Sequence, residues 1–231
     1  MTLRIWAIKP AELKQLPRER LLLLGARCAM RVEPWLPADA ETTWSRGLEY
    51  VVASAFSESD PGAGATLRRT LSDWGAIACN TMSSVDEALG QCMNYAMQTL
   101  ARAIDAASVD FGAPMKKVII EVAKLSASIA AVLAHAGRVK VPPGADAVDV
   151  ACVAMWDAIR ADIPVLAGGA SDFKNAEDRV QALRDCSPLW VGGVPRWDSE
   201  SPHPPRTTRE AISETLRIQQ SRAWRYGSGG Q

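Results

Sequence analysis

The chain has 231 residues, 48% of them hydrophobic, and its 26 basic side chains balance 26 acidic ones. This length suits one large domain or two small ones, and the apolar fraction is ordinary for a globular core. The zero net charge argues against general electrostatic attraction to nucleic acid or to an anionic membrane. We therefore expect neither a nucleic acid nor a membrane as a partner.

The N-terminal residues lack the charged, apolar and small-residue progression of a secretory signal, so we expect none. The cysteines are widely spaced and form no CxxC pair, which argues against a structural zinc site. They are Cys28, Cys79, Cys92, Cys152 and Cys186. We predict reduced, buried thiols in a cytoplasmic protein that carries no metal and no cofactor.

Residues 1–16 alternate weakly in hydrophobicity and indicate a short strand or an extended arm packed on helices; we predict the arm. Pro17 suits the first residue of a helix, which we predict to end before Pro34. Its apolar residues predict an inward face, and its arginines predict a common outer stripe. These arginines are Arg20, Arg27 and Arg31.

Two further helices are predicted at 39–57 and 65–80. Asp60-Pro61-Gly62 is typical of a turn between them. The run from Gly62 to Ala65 lacks the lysine-containing ending of a phosphate-binding loop, so we interpret it as a flexible turn.

Residues 84–137 predict a central antiparallel pair of helices, 84–109 and 115–137. The first begins at a capping box, Ser84 with Glu87, and Gly112 and Pro114 separate the two. The second is apolar over most of its circumference, so we expect it to be the centre of the core. We expect it to be too short and too interrupted by Glu121 and Lys124 to cross a membrane.

Helices at 146–163, ended by Pro164, at 172–186 and at 207–224 complete the prediction. The sequence therefore predicts an all-α fold of about eight helices in one domain, residues 17–226. Residues 227–231 form a glycine-rich tail that we expect to be disordered.

Catalytic patterns are absent from the sequence. It has two histidines, His135 at a helix end and His203 between prolines, and no GxSxG or HExxH motif. This favours a non-catalytic protein. The alternative is a small-molecule-binding protein or enzyme with a pocket between the central helices, where polar side chains converge. Those side chains are Asn94, Gln98, Lys124 and His135.

Acidic residues concentrate between Gly144 and Asp178, where seven acids face two bases. A solvated surface and an acidic face for a basic partner both explain this bias. If it is a partner-binding face, its carboxylates are Asp149, Asp157 and Asp162.

Eight tryptophans against three phenylalanines and three tyrosines is an unusual balance. Trp44, Trp74 and Trp156 fall on predicted apolar helix faces. The tryptophans beside prolines are docked staples or exposed anchors, and we favour docking; they are Trp35, Trp190 and Trp197. Trp224, among arginines, is the candidate exposed anchor. Trp190, Trp197 and Trp224 join the three aspartates as candidate partner-binding residues.

The segment from Arg18 to Pro34, with its Cys28-Ala29-Met30-Arg31-Val32 ending, resembles the first helix of predicted bacterial immunity proteins of polymorphic toxin systems. Residues 156–163, 187–190 and 194–197 are similar to a tail found in bacterial proteins near such systems. The resemblance covers under a quarter of the chain. It implies an all-α fold and a protein partner, a toxin or effector, and it transfers no functional residue. A structural subunit of a larger assembly is a further alternative.

Overall fold

The computed structural model describes residues 7–36, 40–82, 86–139, 141–168, 173 and 178–189. Within these ranges the fold is all-α, without a β-strand, as predicted. The helices whose bounds lie in the described ranges are α1 (Arg18–Val32), α2 (Glu41–Ala55), α3 (Pro61–Met82), α4 (Glu87–Ala107), α5 (Ala113–His135), α6 (Ala147–Gly168) and α7 (Arg179–Asp185), and a 3-10 turn, Glu33–Trp35, follows α1. The helix predicted at 207–224 and the tail at 227–231 lie outside the described residues.

Helix α1 is the centre of the core. Every residue from Arg20 to Val32 is buried, and the helix packs against α2, α4, α5, α6 and α7. The prediction that α5 is the most central helix is therefore wrong. Neighbours cover α1 on all sides, whereas α5 packs against α1, α4 and α6 and leaves one face near solvent.

The central antiparallel pair is confirmed as α4 and α5, which pack against each other. The cap of α4 differs from the prediction: Asp86 is the N-cap, and its carboxylate accepts a hydrogen bond from the Leu89 amide at 3.0 Å. Ser84 lies outside the described residues. Gly112, the N-cap of α5, has a positive φ of 128°, and Pro114 lies in the first turn of α5, where a missing N–H costs little.

Helix α5 has the predicted length, although we expected it to be too short to cross a membrane. Its 23 residues are long and apolar enough, by length and composition, to cross a membrane. The buried core helix of a globular protein passes the same test, and α5 packs against three other helices. Its packing therefore matches a core helix.

Helix α3 begins four residues earlier than predicted, at Pro61. The side chain of Asp60 accepts a hydrogen bond from the Gly62 amide at 2.9 Å, and Pro61 suits a first helical residue. The supposed flexible turn is thus the first turn of the helix. Gly64 is needed there, because a Cβ at this position would lie 2.3 Å from the Tyr50 hydroxyl.

Helix α6 continues through Pro164 to Gly168, although Pro164 was predicted to end it. Helix α7 begins at Arg179, after an Asp178 N-cap that accepts from the Gln181 amide at 2.9 Å. The segment before α1 is turned rather than extended over residues 10–15. It packs on the body and buries Ile8, Leu13 and Leu16. Residues 1–6 lie outside the described ranges.

Candidate ligand-binding groove

The predicted acidic face does not form as expected. Asp149 and Asp157 are exposed on α6, but Asp162 is 1% exposed. Asp157 lies 3.4 Å from Arg160 on the same helix. The tryptophans assigned to partner binding, Trp190, Trp197 and Trp224, lie outside the described residues. The three aspartates therefore do not share one surface.

Asp162 forms a buried charge cluster with two arginines of α1. Its carboxylate lies 2.8 Å from the Arg27 Nε and 2.7 Å from an Arg31 guanidinium nitrogen. All three side chains are at most 1% exposed. The predicted outer stripe of arginines is therefore wrong, since Arg20 is also buried. A buried carboxylate stabilises guanidinium groups that water cannot reach.

The same arginines hold the segment that follows α7. Arg27 donates hydrogen bonds to the carbonyl of Leu183 at 2.7 Å and to that of Ser187 at 3.0 Å. Arg31 donates to the carbonyl of Leu189 at 2.7 Å and, on α6, to that of Ala158 at 2.8 Å. The cluster thus joins α1, α6 and residues 183–189, and its role is structural.

The tryptophans in the described ranges are buried, as the sequence pattern predicted. Trp44, Trp74 and Trp156 are buried on their helices, as predicted. Trp35, in the 3-10 turn, is 1% exposed, so the preference for a docked side chain is confirmed there. These four tryptophans are packing residues rather than exposed anchors.

The four polar residues assigned to a pocket between α4 and α5 do not share the groove that the described residues form. Lys124 lines that groove, and His135 is exposed at the end of α5. The facing sides of α4 and α5 are packed with buried apolar side chains. The open space lies on another side of α5.

That space is a groove with a cavity volume of about 930 Å³ between α5, α6 and the turns at residues 7–14. Small-molecule sites typically have volumes of about 300–1,000 Å³. On α5 the lining residues recur at steps of three and four, so they share one helical face. They run from Ala113 to Ser128, roughly 22 Å at 1.5 Å per residue.

Apolar side chains from all three segments line the groove. They are Ala7, Ile8, Pro10, Ala113, Ile120, Ala127 and Trp156. Trp156 is 2% exposed, and its indole N–H has no acceptor within the described part of the chain. An apolar surface of this size, reached from solvent, suits the hydrocarbon part of a ligand.

Lysines surround the same groove. They are Lys9, Lys14, Lys116, Lys117 and Lys124. These are all the lysines of the described ranges; Lys140 and Lys174 lie outside them. None of the five lies within salt-bridge distance of a carboxylate in those ranges, although Glu121 also lines the groove. In contrast, Arg27 and Arg31 form ion pairs with Asp162 inside the protein.

The remaining candidate chemistry is sparse. In the described ranges, no three side chains of histidine, cysteine, aspartate or glutamate lie close enough together to hold a metal. All five cysteines are free thiols; Cys28, Cys92 and Cys152 are buried, and Cys79 and Cys186 are half-buried. Burial raises the pKa of Cys28 and of Cys92 to about 12, which disfavours the nucleophilic thiolate.

Sequence reasoning missed the groove because its three walls are distant in sequence. One signal was present: Lys116, Ile120 and Lys124 recur at i, i+4 and i+8 on an otherwise mostly apolar helix. For Asp162, the signal was its place on the apolar line of α6 with Met155, Ala158 and Leu166. The chain matches no protein-family model, no curated protein and no solved structure.

Proposed function

We propose that this is a non-catalytic binding protein that holds the apolar part of an amphipathic small molecule in the groove beside α5. The observation that supports it most is the groove itself, about 930 Å³ in volume and lined by apolar side chains from three segments. Helical bundles commonly place ligands between facing helices. Here α5 and α6 supply two walls and the N-terminal turns supply the third.

The described lining residues contain no pair of serine or cysteine with histidine, which supports binding rather than reaction. Ser128 is the hydroxyl in the groove, and it donates a hydrogen bond to the Lys124 carbonyl at 2.9 Å. No described histidine lines the groove to activate it, since His135 is exposed elsewhere and His203 is not described. A nucleophile of this kind needs an adjacent base.

The proposal is tested with an uncharged, environment-sensitive dye and its displacement by dodecanol. Ile120→Trp places a larger side chain in the groove and so reduces its open volume. Ile77→Trp is the matched control. Both isoleucines are half-buried on helices, but Ile77, on α3, does not line the groove. We expect Ile120→Trp to weaken dye and dodecanol binding at least tenfold and Ile77→Trp to leave it unchanged.

Equal effects of the two variants on dye binding would show that the dye binds elsewhere. Failure of the dye and of every dodecyl compound, neutral or anionic, to bind the unmodified protein would remove the proposed function. Circular dichroism of each variant checks that the helices are intact.

Three further hypotheses remain predictions. In a toxin- or effector-neutralising role, the exposed carboxylates of Asp149 and Asp157 would contact the partner. Affinity purification with mass spectrometry tests this role. A structural role in a larger assembly is tested by the mass of the purified particle. We also propose a cytoplasmic location on the basis of five free thiols, and cell fractionation tests that.

A further inference from the structure

The charge around the groove indicates the class of ligand. Five lysines against one glutamate give the lining a formal charge of five minus one, or +4. Lysine ammonium groups that no carboxylate of the described ranges neutralises attract anions, especially beside an apolar wall that displaces water. A neutral hydrocarbon ligand would make no ionic interaction with these ammonium groups.

The charge is distributed unevenly along α5. Lys116 and Lys117 lie in the first turns of the helix, near Ala113, where aligned backbone dipoles add positive potential. Lys124 lies on the same face about 12 Å further along, at 1.5 Å per residue. The N-terminal end of α5 therefore combines two cationic side chains with the positive end of a 23-residue helix.

Farther along α5, the groove has apolar side chains beside Lys124. Ala127 is buried there, and Trp156 contributes from α6. Ser126 of α5 donates to the Cys28 carbonyl, and Arg31, three residues further along α1, donates to the Ala158 carbonyl of α6, so Trp156 lies nearer Ala127 than Ala113. Lys116 and Lys117 thus lie at the end of α5 that is away from Ala127 and Trp156, which suits a ligand with its charge at one end.

We infer that the ligand is a free single-chain lipid with an anionic headgroup, bound as a monomer with the headgroup at Lys116 and Lys117. The inference rests on the proposed function and specifies its ligand. The apolar N-terminal residues 1–6 are the competing occupant. They carry Arg4 and no acidic residue, so they would bring positive charge to a groove that is already +4.

The experiment compares dodecanol, dodecanoate and dodecyl phosphate, each below its micelle concentration, by calorimetry on the full chain. We expect both anions to bind at least tenfold more tightly than dodecanol at low salt, equivalent to about 1.4 kcal/mol. Added salt should reduce this difference, because it screens exposed charges.

The double variant Lys116→Gln/Lys117→Gln tests the headgroup position. It should remove most of the preference for anions, measured as the ratio of the dissociation constants of dodecanol and of each anion in the same variant. The control is Arg46→Gln/Arg69→Gln, which removes the same charge from exposed positions outside the groove. We expect no change in that variant.

The outcomes separate the inference from the proposed function. If dodecanol binds as tightly as the anions, or if both double variants behave alike, the anionic-headgroup inference is wrong while the proposed function stands. If no dodecyl compound binds, both fail. Lysine-dependent binding to anionic phospholipid vesicles without monomer binding would identify a membrane surface instead. Tight monomer binding only after Leu3→Gln/Ile5→Gln would assign the groove to the N-terminal residues. Either result overturns the inference.

Discussion

Asp162 is predicted to be among the most sensitive positions in the protein. Asp162→Asn keeps the side-chain volume but removes the negative charge that faces two buried guanidinium groups at 2.8 and 2.7 Å. Removing one partner from a buried ion pair typically costs about 3–5 kcal/mol, because the remaining charge stays in a medium of low polarity. Arg27 and Arg31 keep their carbonyl acceptors in the variant, so we expect the fold to survive at reduced stability.

The assay is urea unfolding followed by far-ultraviolet circular dichroism, with thermal unfolding as a second measurement. At about 2–4 °C per kcal/mol for a chain of this size, the melting temperature should fall by roughly 6–20 °C. Asp157→Asn is the matched control. Its carboxylate is 58% exposed and lies 3.4 Å from Arg160, so its loss should cost at most about 1 kcal/mol.

A second variant separates charge from packing. Arg31→Met combined with Asp162→Leu removes one cation and the anion together, and a double-mutant cycle gives their coupling energy. We expect the combination to cost less than the sum of the two single changes. If Asp162→Asn costs no more than Asp157→Asn, the buried cluster does not contribute as argued.

Three other predictions concern the core. Stability should fall as the pH rises from about 9 towards 12. In this range the thiols of the unfolded chain ionise at their ordinary pKa of 9.0, while burial keeps Cys28 and Cys92 protonated to about 12. The slope is up to about 1.4 kcal/mol per pH unit for each thiol, and Cys28→Ala/Cys92→Ala should reduce it; an unchanged slope contradicts the assignment. Under native conditions at pH 8, iodoacetamide should label Cys79 and Cys186 before Cys28 and Cys92, as peptide mass spectrometry would record. Gly64→Ala should destabilise the protein by about 1–3 kcal/mol, because its Cβ would lie 2.3 Å from the Tyr50 hydroxyl. Gly62→Ala, whose Cβ would meet only the Asp60 side chain at 3.4 Å, should be neutral or stabilising by up to about 1 kcal/mol in the same denaturation assay.

The helices could be predicted from the sequence because their signals are local. Apolar residues at steps of three and four defined α4 and α5, and the burial of Trp44, Trp74 and Trp156 followed from the same periodicity. Boundaries were less accurate where a short side-chain contact decides them. Asp60 starts α3 at Pro61, and Asp86 rather than Ser84 caps α4.

The centre of the core and the groove were not predicted because both depend on distant partners. Because arginine is normally exposed, Arg27 and Arg31 indicated an outer face. Their buried partners, Asp162 and the carbonyls of residues 183–189, are too distant in sequence to be recognised from it. The groove needs residues 7–14, α5 and Trp156 together. Periodicity within one helix cannot provide that arrangement.

The arginines of α1 also constrain the order in which the protein can fold during its synthesis. Arg27 finds its carbonyl acceptors 156 to 161 residues further along the chain. At roughly 5–20 residues per second, a ribosome needs about 8–30 s to make that stretch. Until Asp162 is made late in that time, the helix that becomes the centre of the core carries cations whose anionic partner does not yet exist. The final packing of α1 must therefore await the segment that follows α7, and the nascent chain keeps an incomplete core until late in translation.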